Sequence, residues 1–234
     1  HCTSSDSRFV ALSRNFGVIA KVSVFIAASL DGFIARRDGS LDWLSNPGAD
    51  ADKEDYGYRE FIDSVDALIM GRNTFEKALS FGAWPYSGKR VVVLTRGAVK
   101  IPAELANTIS AAAAAPRELV KRLSAEGASR LYVDGGITVQ RFLSAGLIDE
   151  LTITRIPALL GEGIPLFGPT GGDILLRHLA TRSYDNGYVQ SKYRVVGDWR
   201  TYRLRFEGAV LQIQPARILP RAAPMDIPRR QALG

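Results

Sequence analysis

Residues 131–142 read LYVDGGITVQRF, a short apolar strand running into paired glycines that open a helix. Gly135 and Gly136 carry no Cβ, so the turn can take unusual dihedrals and its backbone can approach a ligand closely. The first N–H groups of the following helix, at Ile137 and Thr138, then present partial positive charge to whatever lies beyond Asp134, a natural place for a pyrophosphate. A tight strand-to-helix connection explains one such glycine pair equally well, so the reading rests on two companions upstream.

The first companion is residues 66–76, DALIMGRNTFE, a strand ending at Gly71 that again feeds a helix. Asn73 and Glu76 stand at capping-box spacing, which predicts a helix start there, with Arg72 just before it and Thr74 in its first turn. The second is residues 90–96, RVVVLTR, a buried-type strand whose carboxyl end presents Leu94, Thr95 and Arg96. Ligands of open α/β sheets lie off the carboxyl ends of strands, and an acidic residue at such a point selects the free 2′-hydroxyl of NAD. Thr95 and Arg96 suit a 2′-phosphate instead. Three strand ends bearing Gly-Arg, Thr-Arg and Gly-Gly together predict an NADPH site. The competing account makes Arg72 and Arg96 solvated surface charges and the glycines packing devices.

Elements able to position these junctions follow from the hydrophobic pattern. Strands alternate with helices as a mostly parallel sheet requires, with a helix from Pro116 through Glu126, a strand over 130–133, a helix over 137–145 and a strand over 150–156. Tyr184-Asp-Asn-Gly-Tyr188 is an Asn-Gly hairpin signal joining strands at 175–183 and 189–196. The predicted fold class is α/β, three layers, with helices on both faces of a mixed, mostly parallel sheet that ends in an antiparallel hairpin.

These runs, with residues 22–35, VSVFIAASLDGFIA, resemble the dihydrofolate reductase superfamily. Within it the chain is most similar to the branch holding the reductase domain of the riboflavin-biosynthesis deaminase-reductase and its stand-alone relatives. The resemblance spans about 18–196 and implies a dihydrofolate reductase-like fold with NADPH as cofactor. It implies that backbone groups of Ala27 and Ala28 meet the nicotinamide carboxamide and that Ile34 packs beside the ring. Gly71, Arg72, Asn73 and Thr74 match the phosphate-holding segment, and Leu94, Thr95 and Arg96 the one around the adenosine 2′-phosphate. Asp134, Gly135, Gly136, Ile137 and Thr138 match the pyrophosphate loop. Asp31 matches a Leu-Asp-Gly signature in which the carboxylate faces the site or caps the turn, and turn formation is the commoner use of Asp-Gly.

A reductase needs a proton source beside its hydride acceptor. Residues 52–62 read as a helix with Tyr58, Phe61, Ile62 and Val65 inward, and Asp55, three residues before Tyr58, shares that face. Folate enzymes carry an acidic residue on the corresponding helix, and counting back from Gly71 reaches Asp55, with Glu54 a close competitor. Complementing the helix dipole is the alternative use for such a carboxylate. Lys89 stands where folate enzymes carry an arginine for the glutamate carboxylate, and lysine cannot make that planar two-pronged pair. Trp43 also lacks the proline that precedes it there. Folate thus becomes the minority substrate.

Composition is that of an ordinary globular chain of 234 residues. One cysteine, Cys2, excludes an internal disulfide, and with His1 and His178 it cannot supply the usual zinc site. No apolar run has bilayer length, so the cytoplasm is expected. Residues 1–17 are expected to be a disordered leader, 18–197 the reductase domain, and 198–234 a poorly ordered tail. In that tail Arg200, Arg203, Arg205, Arg217, Arg221, Arg229 and Arg230 outnumber Asp198, Glu207 and Asp226. The arginines are spread out, which fits a solvated extension better than a nucleic-acid-binding arm. The loop 157–167 is apolar and rich in glycine and proline, suited to lining a pocket or a dimer interface.

The resulting expectation is an NADPH-dependent reductase of a small heterocyclic or carbonyl substrate, pyrimidinone or pterin in type, working as a homodimer without membrane or nucleic acid. The alternatives are dihydrofolate reductase proper and a non-catalytic nucleotide binder with a nucleic-acid-binding tail.

Overall fold

The computed structural model describes residues 19–44, 54–196, 204–207 and 210–213. The expected leader, the stretch 45–53 and the rest of the basic tail lie outside the described residues.

Strands β1 (Lys21–Ser29) and β2 (Phe33–Ala35) come first, followed by α1 (Tyr58–Asp63), β3 (Ala67–Gly71), α2 (Arg72–Leu79), β4 (Arg90–Leu94) and β5 (Ile109–Ala112). Next come α3 (Pro116–Ala125), β6 (Arg130–Asp134), α4 (Gly136–Ser144) and β7 (Glu150–Ile156). Short β8 (Ile164–Pro165) and the hairpin β9 (Leu176–Ser183) and β10 (Val189–Val195) complete the His1–Val196 unit. A second unit, Gly197–Gly234, contains a separate antiparallel pair with Leu204 opposite Ile213.

Eight strands form one sheet in the order β5-β4-β3-β6-β1-β7-β10-β9. The pairings from β5 to β7 are parallel, and β10 joins β7 and β9 antiparallel. The predicted mostly parallel sheet with a terminal antiparallel pair is the one observed. Its layers follow from the period-two alternation of strand side chains. On β3, Ala67 and Ile69 face one way and Leu68 and Met70 the other; on β4, Val92 opposes Val91 and Val93; on β6, Leu131 and Val133 oppose Tyr132. The first set packs with Leu119 and Leu123 of α3 and Val139 and Phe142 of α4, and the second with Phe61 of α1 and Phe75 of α2. Both faces of the central strands are therefore buried, which is why these strands read as unbroken apolar runs.

Two expected helix starts differ from those observed. α2 begins at Arg72 instead of at a capping box on Asn73, because β3 keeps its ladder through Gly71, paired with Leu94, and turns straight into the helix. α1 begins only at Tyr58, because Tyr56 and Gly57 both have positive φ, 55° and 77°, which a continuous right-handed helix cannot contain.

Phe142 is fully buried between α4 and the sheet. Phe142→Ala is expected to cost about 3–5 kcal/mol of stability, read as a lowered urea midpoint at unchanged slope.

Candidate active site

The chain leaves β3 toward β4 and leaves β6 toward β7, so the connections diverge at the carboxyl ends of two adjacent strands. Such a divergence opens a crevice. On its far side β1 pairs with β6 only from Lys21 to Ser23, then continues along β7 as far as Ser29. The cleft so formed has a volume of about 940 Å³ and is lined by Ala27, Ile34, Asp55, Gly71, Arg72, Asn73, Thr74, Leu94 and the run Asp134–Thr138.

Two helix starts interlock at its centre. A Cβ on Gly71 would lie 3.1 Å from Thr138 Oγ1 of α4, and one on Gly135 would overlap Thr74 Oγ1 of α2. Gly135 has φ 89°, which only glycine adopts readily. A Cβ on Gly136 would come within 2.8 Å of the Pro165 carbonyl oxygen. Both helices have glycine at the N-cap, and neither cap offers a side-chain hydrogen bond. The first-turn N–H groups of α2 and α4 therefore face one cleft without a side-chain acceptor at the cap, the condition for holding an anion.

Arg72 is half exposed, paired loosely with Glu76 at 3.6 Å, and its Nη1 lies 3.9 Å from where a Cβ of Gly97 would be. That places the guanidinium beside the turn after β4. Thr95 closes the turn, its Oγ1 accepting from the Gly97 N–H at 3.1 Å. Thr95 and Arg96 stand outside the cleft wall, one step beyond Leu94, and Arg96 makes no ion pair among the described residues. Ala28 is buried in the core while its neighbour Ala27 lines the cleft, as strand alternation requires.

The two acids expected to be catalytic are both engaged by backbone. Asp55 precedes α1 instead of sharing a helical face with Tyr58. Its carboxylate accepts the N–H groups of Gly57 at 2.9 Å and Arg59 at 3.1 Å, and these bonds hold its pKa below the usual carboxylate range. Asp31 is not part of the cleft wall. It accepts from Ser29 Oγ at 2.5 Å and from the N–H groups of Leu160 at 3.0 Å and Gly161 at 2.7 Å, tying the turn after β1 to the loop 157–167. The Ser29 bond leads the causes that lower its pKa. That loop also reaches the cleft, through Ile164 of β8. Lys89 is committed elsewhere, its Nζ donating to the Asp63 and Val65 carbonyls at 3.3 and 3.1 Å.

Three tyrosines that the motifs did not single out for this role surround Asp134. Tyr86 donates to its Oδ2 at 3.1 Å, and the hydroxyls of Tyr58 and Tyr132 lie close enough to perturb the group. Burial pushes the Asp134 carboxyl above its ordinary pKa, against the opposing influence of the Gly135 N–H and the Tyr86 and Tyr132 hydroxyls. Tyr86 is 48 residues from Asp134, so no local spacing announces the contact. Among the described residues no group of His, Cys, Asp and Glu could hold a metal ion, and no helix is long and apolar enough to cross a membrane.

The family model described as the RibD C-terminal domain matches residues 20–190, and the chain belongs to that family of reductase domains. Among its relatives is YwjB, an uncharacterised protein of Bacillus subtilis, 37% identical over 176 residues that cover 74% of this chain and 97% of YwjB. The riboflavin biosynthesis protein RibD of Corynebacterium ammoniagenes is 28% identical over 155 residues, 61% of this chain and 44% of its own. A solved Shewanella sp. PV-4 protein, provisionally named for riboflavin biosynthesis, superposes with a TM-score of 0.69 at 38% identity, covering 75% of this chain and 98% of its own.

Gly135→Ala is expected to cost about 1–3 kcal/mol from backbone strain alone. Adding Thr74→Ala relieves the overlap but not the strain, so the double variant should recover part of the lost thermal stability. For Asp31 the lowered folded pKa means its contribution is complete above the ordinary aspartate range and lost as pH falls through the folded value. The unfolding midpoint should decline below about pH 4, and Asp31→Asn should flatten that decline.

Proposed function

We propose that this protein is an NADPH-dependent reductase of a small heterocyclic or carbonyl substrate, of pyrimidinone or pterin type. The observation that carries the reading is the pair of glycine-capped helix starts opening on one cleft. It supplies two sets of backbone donors for a pyrophosphate where a Cβ at Gly135 or Gly136 would intrude. The cradle fits a dinucleotide. Arg72 with the 95–97 turn would hold the 2′-phosphate, Thr74 and Thr138 would flank the pyrophosphate, and Ala27 and Ile34 would receive the nicotinamide end. Past Ser23 the edge of β1 toward β6 carries no ladder partner, which leaves backbone groups near Ala27 available to a carboxamide. When bound, the cofactor supplies a hydride; the apolar wall of Ile34 and Ile164 keeps water from the transfer.

Lys89, spent on two carbonyls behind the cleft, is unavailable to a folate glutamate, which favours a smaller substrate. A homodimer is part of the proposal. β9 is a sheet edge whose residues are all exposed, Leu176 and Leu179 among them, and such an edge is commonly covered by association.

NADPH should quench the protein fluorescence, and Arg96→Ala should weaken NADPH binding roughly tenfold to a hundredfold while barely changing NADH binding. Equal losses for the two cofactors would remove the 2′-phosphate assignment, and no binding of either would remove the reductase. NADPH oxidation against a panel of dihydropterins, pyrimidinones and quinones identifies the acceptor.

A further inference from the structure

We propose that Asp134, held by Tyr86, is the proton donor of this site. The inference rests on the reductase reading above and names the acid it needs. Asp55 and Asp31 are poor candidates, because each carboxylate accepts backbone N–H groups that favour its ionised form. Asp134 is differently placed. It ends β6 on the cleft wall, opposite Met70 and just before the glycines. One side of the residue meets the cleft, and the other is closed by the rings of Tyr86 and Tyr132 and the core under α2.

The charged and titratable groups facing it are few. From β6 itself comes Tyr132, whose hydroxyl donates to the Phe25 carbonyl at 2.9 Å; from the loop before β4 comes Tyr86; from α1 comes Tyr58. No cation is among the groups that act on it, and the Gly135 N–H and the Tyr86 and Tyr132 hydroxyls offset the desolvation of the carboxylate only in part. The group holds its proton into the range where its neighbours Asp55 and Asp31 have lost theirs. The Tyr86 and Tyr58 hydroxyls lie close enough to influence one another, and both residues line the cleft beside Asp134.

The balance is simple. A C=N or C=O acceptor that has taken a hydride at carbon, with its electron pair, carries a negative nitrogen or oxygen. The Asp134 O–H bond breaks, an N–H or O–H bond forms on the acceptor, and the carboxylate is reprotonated from water through Tyr86 and Tyr58. Asp134 is the acid; the two tyrosines are positioning residues.

The test begins on ligand-free protein. Infrared difference spectra across a pH titration should show a protonated carboxyl at neutral pH that disappears in Asp134→Asn. Because a raised folded pKa means the unfolded state binds fewer protons in the interval, stability should fall as pH rises from the ordinary aspartate value to the raised one, and Asp134→Asn should lack that fall. An ionised Asp134 at neutral pH overturns the inference whatever the cofactor does. With saturating NADPH and the dihydropterin, pyrimidinone or quinone acceptor that the panel identifies, Asp134→Asn should slow turnover by about 10²–10⁴-fold. It should also abolish the loss of rate at high pH. Tyr86→Phe removes a donor that favours the carboxylate, so that loss should move to higher pH. An unchanged pH profile in both variants overturns the proposal with the reductase intact; failure of wild-type protein to bind NADPH overturns the reductase reading itself.

Discussion

The two helix starts that face the cleft hold each other in place. Thr74 of α2 occupies the space that a Cβ on Gly135 would need, and Thr138 of α4 does the same for Gly71. Two macrodipoles with their positive ends side by side repel, and neither helix caps its own donors with a side chain. The fold meets this with packing: Phe75 and Phe142 bury the two helices against opposite faces of the sheet, from which β3 and β6 deliver their starts as adjacent parallel strands. The donors left without caps are then an asset for any ligand carrying negative charge, and a liability when the cleft holds only water.

Acidic side chains around this cleft divide by what their carboxylates touch. Asp31 and Asp55 each hold loops through N–H groups, and those bonds keep them ionised. Asp134 accepts from the Gly135 N–H and the Tyr86 hydroxyl, with the Tyr132 hydroxyl also favouring the carboxylate, and burial is the stronger influence. Three carboxylates of identical intrinsic chemistry thus have their pKa values moved in opposite directions by location alone. Asp31 keeps a role in the cleft at second hand, since the loop it anchors carries Ile164 to the wall and Pro165 to within contact of Gly136.

Much of this was legible along the chain. The apolar runs over 67–70, 91–93 and 131–133 announce strands buried on both faces, and the Asn-Gly at 186–187 marks the hairpin between β9 and β10. The glycines at 71 and 135 mark both helix starts. What went unread depended on contacts remote in sequence and, before α1, on backbone conformation that periodicity does not show. Lys89 could be seen to be no arginine, but not that it serves the Asp63 and Val65 carbonyls. The spacing of Asp55 and Tyr58 suggested one helical face, but two left-handed residues between them break the helix.

The sequence by itself determined which segments become strands and helices, and which junctions carry glycine, threonine and arginine, because periodicity, missing Cβ atoms and charge are local properties. Only the tertiary structure decided which carboxyl is pushed up and which are held down. That depends on Tyr86 and Asp134 meeting across 48 residues and on how much solvent the folded sheet leaves around them, and solvation is a property of the assembled environment rather than of any short run of residues.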